Sequence, residues 1–474
     1  MSEYGAAIPE PHQTEALPTD PREGIAHVAV TSEFEAAHLV SDSIVRTIVH
    51  VAVPAVASSL LMTLFSTLDA FWVGTRIGAV GLAAVSTSLF WIWMLLALGE
   101  MVGVGLTAVA ARRHGERAHA AAARLSGDAI VFTVVLGVVV AALGVLALGG
   151  LFGAMRTPAA VTALGRAYLG TYLLGMPLVF GFIALDASFR AAGDTRTPFA
   201  ILAVSVAITL VLDPALIMGL GPAPKLGIAG AAIATIATRG GAFIAALWIA
   251  WRRGLVRFGR VAVAGLRSVC RVGLPTAATG MMFSLIYVVI TRATTRFGTP
   301  ALAALGIGHR VESWLYMIGV GVGAATAAIV GQNLGAGRPD RAERAGWVAV
   351  GLCTAMGVVA CGAELLWAER FAALFTHEAA TIAEGARYLR VAALSQVGIC
   401  AEIVLEAALG GAGDTLPPML SSTAITASRV PLAGWSATRW GSIGIWWTIS
   451  LTALARALAM VALWRRGGWK HKSV

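Results

Sequence analysis

Long apolar stretches dominate this chain of 474 residues and recur about twelve times along it. An α-helix needs about 20 apolar residues to cross the hydrocarbon core of a bilayer. Membrane β-barrels instead show short segments of alternating polarity. The sequence therefore predicts an all-α membrane protein with twelve transmembrane helices, spans 1 to 12. They lie near 44–73, 80–110, 123–149, 164–189, 198–220, 227–251, 269–294, 301–333, 345–368, 388–410, 417–436 and 442–464.

Three segments of the first half recur about 220 residues later. RIGAVGLAAV at 76–85 returns as RFGTPALAAL at 296–305, and FRAAGDTRTP at 189–198 returns as LGGAGDTLPP at 409–418. TAVAARRHG, from residue 107, aligns with AAIVGQNLG. The common offset indicates two homologous halves of six spans, an arrangement of secondary transporters whose site lies between the repeats.

The distribution of basic residues predicts the orientation of the chain. The net charge is +10, and Arg and Lys are concentrated after spans 2, 6, 8 and 12. Even-numbered spans end on one side, which the positive-inside rule makes cytoplasmic. We therefore expect a plasma or inner membrane protein with both termini in the cytoplasm, and no nucleic-acid partner.

The repeat and the basic linker also divide the chain. We expect a disordered cytoplasmic tail at 1–40, a six-helix bundle at 41–251, a basic linker at 252–271, a second bundle at 272–465 and a short tail at 466–474. The polar tail lacks the apolar core of a signal peptide. We expect the whole protein to lie in a lipid bilayer as a monomer.

No enzyme motif is recognisable in the sequence. It lacks HExxH, GxSxG and a Walker A lysine loop, and its four cysteines have no metal-ligand spacing. We therefore expect no catalytic residue, no metal site and no cofactor.

Two acids in the first half are the main candidates for ion coupling. A charged group at the bilayer centre costs about 2.5–3.5 kcal/mol on insertion scales, so acids there usually have a function. Asp69 precedes Gly74 by five residues and Asp213 precedes Gly219 by six, which puts both at a similar depth. Thr235 in span 6 falls at a comparable level. The sequence predicts a shared proton or cation site, although an interfacial role for each acid is the alternative.

The second half differs at the matching positions, where Val289 and Val430 replace the two acids. This difference favours ion coupling in the first half alone. Asp186 and Glu406 match each other at the repeat offset, which favours a structural role. Glu402 is a candidate to face a cavity in the second half and to attract a cationic substrate.

Aromatic and methionine side chains suggest a soft cavity for flat amphiphilic cations. Ordinary packing residues are the alternative for any one of them. The candidates are Trp72, Tyr172, Met281, Met282, Phe283 and Tyr287.

With these residues in view, the chain resembles the multidrug and toxic compound extrusion (MATE) family over roughly 44–465. The resemblance rests on LDAFWVGTRIGAVGLAAV, FRAAGDTRTP, LDPALIMGLGPAPKLGIAGAAIAT and VGQNLGAGRPDRA. It implies a V-shaped pair of six-helix bundles and cation-coupled antiport of mostly cationic organic compounds.

Within that family the chain is more similar to the DinF-like branch. This similarity implies coupling roles for Asp69, Asp213 and Thr235. The family's frequent Asn one turn before the LDP motif is Thr209 here, which favours H⁺ over Na⁺ as the coupling ion. Around the acidic helix-7 position of the NorM-like branch, this chain has Met282-Phe283-Ser284.

Other functions stay open at this point. A flippase for lipid-linked saccharides predicts a strongly cationic cavity, for which Arg239 and Arg429 are thin support. An exporter of one specific metabolite is a further alternative. A membrane-embedded enzyme or receptor would need a catalytic constellation or a sensor domain.

Overall fold

The computed structural model describes residues 39–40, 43–77, 79–154, 159–221 and 223–472. These residues form thirteen α-helices of 16 residues or more and two short 3₁₀ turns, at Thr295–Phe297 and Gly468–His471. The helices are α1 (Ile44–Arg76), α2 (Ala79–Gly115), α3 (His119–Ala154), α4 (Ala159–Leu174), α5 (Met176–Ala192), α6 (Arg196–Met218), α7 (Ile228–Arg252), α8 (Val263–Thr294), α9 (Thr299–Gly335), α10 (Pro339–Ala373), α11 (Ala379–Gly411), α12 (Leu416–Trp440) and α13 (Ser442–Arg466).

These helices account for the twelve predicted spans. In the described part of the chain, ten helices are long and apolar enough to cross a membrane, and the bent pair α4–α5 adds an eleventh. Span 11 corresponds to α12, which has 25 residues but also contains two arginines and several hydroxyl side chains. It packs against α8 and α13 within the second bundle.

Span 4 was predicted as one helix, and this was wrong. The chain bends by 52° between α4 and α5. Gly175 lies at the break and Pro177 follows in the first turn of α5. Proline has no backbone N–H and a fixed φ, so it fits the first turn of a helix better than its interior.

The helices form two bundles, α1–α7 and α8–α13, in a V-shaped arrangement. Close contacts between them lie at the end that carries Arg112, Arg253 and Arg338, which we call the basic end. A Cβ built on Gly105 of α2 would lie 2.0 Å from the Val269 carbonyl oxygen of α8. Gly335 of α9 similarly meets the Arg112 backbone. Glycine is therefore required there for the bundles to meet.

The segment between the bundles is shorter than predicted. Residues 263–271 form the first turns of α8, and the connection itself covers 253–262. It is docked on the first bundle, because the Ala262 N–H donates to Asp128 at 3.0 Å and the Arg257 N–H donates to the Ala123 carbonyl at 2.9 Å.

The predicted tail at 1–40 lies mostly outside the described residues, but its last two residues make contacts. Leu39 is 4% exposed, and its carbonyl accepts a hydrogen bond from Asn333 of α9 at 3.3 Å. The Val40 carbonyl accepts one from Arg338 at 2.9 Å. The packed region therefore begins no later than Leu39.

Candidate functional site

The first bundle buries the two predicted coupling acids. Asp69 on α1 is 5% exposed and Asp213 on α6 is 1% exposed. They lie close enough to interact electrostatically. Asp69 Oδ2 accepts a hydrogen bond from the Tyr168 hydroxyl of α4 at 3.2 Å, whereas Oδ1 of each aspartate has no partner. The structure thus brings two incompletely satisfied carboxylates together.

The two candidate threonines are buried, Thr209 on α6 and Thr235 on α7. The Thr235 hydroxyl donates to the Ala231 carbonyl at 3.1 Å, within α7. Thr209 lies one turn before Asp213 and contacts Thr238 of α7 at 2.9 Å, hydroxyl to hydroxyl. The Thr209–Thr238 contact joins α6 to α7 one turn from Asp213.

Aromatic residues lie near Asp69, and Arg239 lies near one of them. The Tyr172 ring stacks on Tyr168 with 6.3 Å between centroids and interacts electrostatically with Asp69 and Arg239. Arg239 lies 5.1 Å from the centroid of the Phe65 ring. Trp72 lies one turn beyond Asp69, with the Arg76 guanidinium 5.9 Å from its ring. Tyr172 and Trp72 are therefore placed near the acids.

The other predicted cavity residues lie in the second bundle. Phe283 is 37% exposed and stacks on Tyr287 with 6.0 Å between centroids. Met281 and Met282 are partly buried just before them in α8. The Phe283 ring also faces two guanidinium groups, at 6.0 Å for Arg429 and 5.7 Å for Arg456. The candidate lining residues thus form two groups, one in each bundle.

Glu402 does not present a lone carboxylate to the cavity. It is 3% exposed and forms an ion pair with Arg456 of α13. The sequence analysis missed this partner, although Arg456 stands well inside predicted span 12. A buried acid paired with a guanidinium is neutral as a pair, so its attraction for a cationic substrate is weakened.

The second bundle also holds acids, on helices other than those that carry Val289 and Val430. Val289 and Val430 are apolar, but Glu312 of α9 accepts a hydrogen bond from Tyr388 at 3.2 Å. Glu364 of α10 accepts one from Gln396 at 3.0 Å. Both are recognisable in the sequence as acids within apolar spans, although neither has an acidic counterpart at the matching position of the first half.

Acids of the repeated turn region mainly stabilise the fold. Asp186 pairs with Arg190 at 2.6 Å, one turn along α5. Asp194 Oδ1 accepts the backbone N–H groups of Arg196 at 3.0 Å and Thr197 at 2.9 Å. Asp194 therefore caps the start of α6.

The arrangement in the first bundle is suited to reversible binding of a small cation. Buried carboxylates that interact with each other and lack a basic partner gain stability when a proton or a metal cation binds. Helices α1, α4, α6 and α7 all contribute to the cluster, so binding there can alter how these helices pack.

Comparisons with known proteins agree with this architecture. The MatE family model matches residues 54–215 and 275–435, once in each bundle and over more than half of the chain. The probable multidrug resistance protein YoeA of Bacillus subtilis is 26% identical over 433 residues, 89% of this chain and 93% of the relative. A probable multidrug resistance protein NorM of Deinococcus radiodurans is 30% identical over 390 residues, covering 80% and 84%.

A solved structure supports the same fold. A mutant of the Vibrio cholerae MATE transporter VcmN superposes with a TM-score of 0.84 at 20% identity, over 93% of this chain and all of that one. Two matches to one family model, two bundles and a shared fold converge on one assignment. The chain belongs to the multidrug and toxic compound extrusion family and is a multi-pass membrane transporter, not an enzyme.

Proposed function

We propose that this transporter exports organic cations in exchange for protons, with Asp69 and Asp213 as the carboxyl groups that bind the coupling proton. The observation that carries this proposal is the burial of both acids within electrostatic range of each other. In the described part of the chain, neither forms an ion pair with a basic side chain. Two such groups share one proton more readily than they both ionise.

The choice of H⁺ over Na⁺ rests on the surrounding oxygen atoms. The Thr209 and Thr235 hydroxyls are engaged in hydrogen bonds within and between α6 and α7. Thr209 also offers a hydroxyl where the family often has an amide oxygen. A proton needs no shell of ligands, so this site suits it better than Na⁺.

The choice of organic cations rests on the lining of the two groups of cavity residues. Tyr172 and Trp72 in the first bundle, and Tyr287 in the second, are aromatic side chains that can interact with a cation. Two relatives named as multidrug resistance proteins favour drug-like substrates.

Alternating access couples the entry of protons to the export of the organic cation. The basic end lies in the cytoplasm by the positive-inside rule, so contact of the bundles there leaves the cavity open to the outside. Proton entry supplies about 1.4 kcal/mol per pH unit and about 2.3 kcal/mol per 100 mV for each charge. Protonation alters the packing of α1 and α6, and one bundle rocks against the other.

The test uses purified protein in proteoliposomes with ethidium, a planar organic cation. A pH gradient should drive ethidium movement, and Asp69→Asn and Asp213→Asn should each reduce it at least tenfold while the protein stays folded. Asp340→Asn is the matched control, because the Asp340 side chain is 85% exposed. Full transport in both test variants, or transport driven by a Na⁺ gradient alone, would contradict the proposal.

A further inference from the structure

The two halves share a tyrosine whose partner differs. Tyr168 of α4 and Tyr388 of α11 stand at matching positions of the repeat. Each donates its hydroxyl to a buried or half-buried carboxylate at 3.2 Å, to Asp69 in the first bundle and to Glu312 in the second. Asp69 comes from α1 and Glu312 from α9, so the same contact is built from non-equivalent helices.

A second carboxylate lies beside the Tyr388–Glu312 pair, as Asp213 lies beside Asp69. Glu364 of α10 is 4% exposed and within electrostatic range of both Glu312 and Tyr388. Gln396 of α11 is fully buried and donates to Glu364 Oε1 at 3.0 Å. Glu364 Oε2 and Gln396 Oε1 have no hydrogen-bond partner. Two buried acceptor oxygens are thus left unsatisfied, which is costly without a bound proton or cation.

The charges around these acids do not balance. Arg429 of α12 is the guanidinium that acts on Glu312, and its Nε donates to Thr452 at 2.6 Å rather than to a carboxylate. His309, 3.8 Å from Glu312, is a further titratable neighbour of that acid, and Cys361, one turn before Glu364 on α10, is one of Glu364. Arg456 is already paired with Glu402. Glu402 also interacts with Arg429, so this one guanidinium does not compensate both Glu312 and Glu364, and at least one negative charge is left between them.

We propose that Glu312 and Glu364 form a second proton-binding site, which holds one exchangeable proton in the second bundle. Tyr388 and Gln396 position the two carboxyl groups through their hydrogen bonds. This site is separate from Asp69 and Asp213 and does not depend on the identity of the substrate. With one site in each bundle, the transporter moves two protons per cycle, so one pH unit supports a hundredfold instead of a tenfold substrate gradient.

The experiment measures proton binding without transport, in an Asp69→Asn/Asp213→Asn background. Infrared absorption of protonated carboxyl groups is followed between about pH 5.5 and pH 9, where exposed carboxyls are ionised. Glu312→Gln and Glu364→Gln should each remove the signal of one carboxyl group, and the double variant should remove no more than either alone. Glu369→Gln, on the same helix as Glu364 but with a side chain 67% exposed, should leave the signal unchanged.

Three results would overturn the proposal. An unchanged signal in both single variants would exclude the site, and a twofold larger loss in the double variant would mean two independent protons. Suppression of the signal by NaCl, but not by choline chloride, would assign the site to Na⁺.

If Glu312→Gln fails to fold, Tyr388→Phe provides the measurement. It should shift the frequency of the carboxyl band and retain its amplitude, and an unshifted band would contradict the assignment. Because both aspartates are already neutral in the background, these results do not depend on the first-bundle site.

Discussion

The partner of each buried carboxylate decides what that carboxylate can do. Glu402 is paired with a guanidinium, so its charge is compensated whether or not a ligand is bound. Asp69 and Glu312 are hydrogen-bonded to tyrosine hydroxyls, which stabilise a carboxylate but carry no charge. An uncompensated charge at membrane depth is expensive. This difference is why we propose the tyrosine-bonded acids, and not Glu402, as members of the proton-binding pairs.

Tyr168→Phe should slow ethidium transport driven by a pH gradient by roughly tenfold. A hydrogen bond to a charged group contributes about 1.5–3 kcal/mol, and about 1.4 kcal/mol corresponds to a factor of ten. Transport in proteoliposomes measures the effect, and size-exclusion profiles check folding. Tyr4→Phe, in the N-terminal tail, is the matched control. Equal rates for Tyr168→Phe and wild type would show that the hydroxyl does not position Asp69.

Glu402→Gln should destabilise the protein more than Asp69→Asn does. Breaking a buried ion pair from one side leaves a buried charge without its partner, which costs about 3–5 kcal/mol. We expect a lower apparent melting temperature in detergent for Glu402→Gln. The double variant Glu402→Gln/Arg456→Gln should recover much of the loss, and the absence of any recovery would contradict the ion-pair account.

At the scale of helices, the bend between α4 and α5 positions the first-bundle site. Both tyrosines that border Asp69 lie on α4, and the direction of α4 is set by the 52° bend. Gly175 at the break lies close to α7, where its Cβ would be 2.4 Å from Ile236 Cγ1. A small residue is therefore needed for the break between α4 and α5 to pack against α7.

Gly175→Ala should lower both stability and transport. Inserting a methyl group into a packed contact costs about 1–3 kcal/mol. Thermal unfolding and ethidium transport measure the two effects, and Ile236→Ala should rescue the variant by removing the atoms it meets. Gly241→Ala on α7, where an added Cβ meets nothing within 4 Å, is the control. Similar losses for both alanine variants would indicate an effect of glycine replacement in general.

The sequence predicts elements better than contacts between them. Apolar length and the repeat predict the twelve spans and the two bundles, because helix formation in a membrane is dictated locally. Equal depth on two outward-running spans also predicts that Asp69 and Asp213 lie together. The Tyr168 contact could not be predicted in this way, because it depends on the bend and rotation of α4. The choice of Arg456 as the partner of Glu402 similarly depends on how α11 packs on α13.

At the scale of the whole molecule, the bundles are joined at the basic end by more than their helices. Leu39 contributes a side chain to this junction, and a Cβ on Gly193 of the first bundle would lie 2.7 Å from Leu39 Cδ1. The carbonyls of Leu39 and Val40 accept hydrogen bonds from Asn333 and Arg338 of the second bundle. The sequence analysis assigned these two residues to the tail, because two residues are too few to show a periodic pattern.

Removing residues 1–40 should therefore have a larger effect than removing residues 1–38. Burial of a leucine side chain contributes about 1.5–3 kcal/mol, enough to change the ratio of two conformations by about tenfold or more. Without Leu39, the conformation with the bundles in contact at the basic end should lose population to one that is open there. Spin labels are attached to cysteines introduced at residues 116 and 344 of a variant that lacks the native cysteines. Both positions are exposed, and the labels report the distance between the bundles at this end. After removal of 1–40 we expect a new population with a longer distance between the labels. Leu39→Ala in the full chain should produce the same population in a smaller amount, and removal of 1–38 should leave the distribution unchanged. Identical distributions for the two truncations would show that Leu39 does not hold the bundles together.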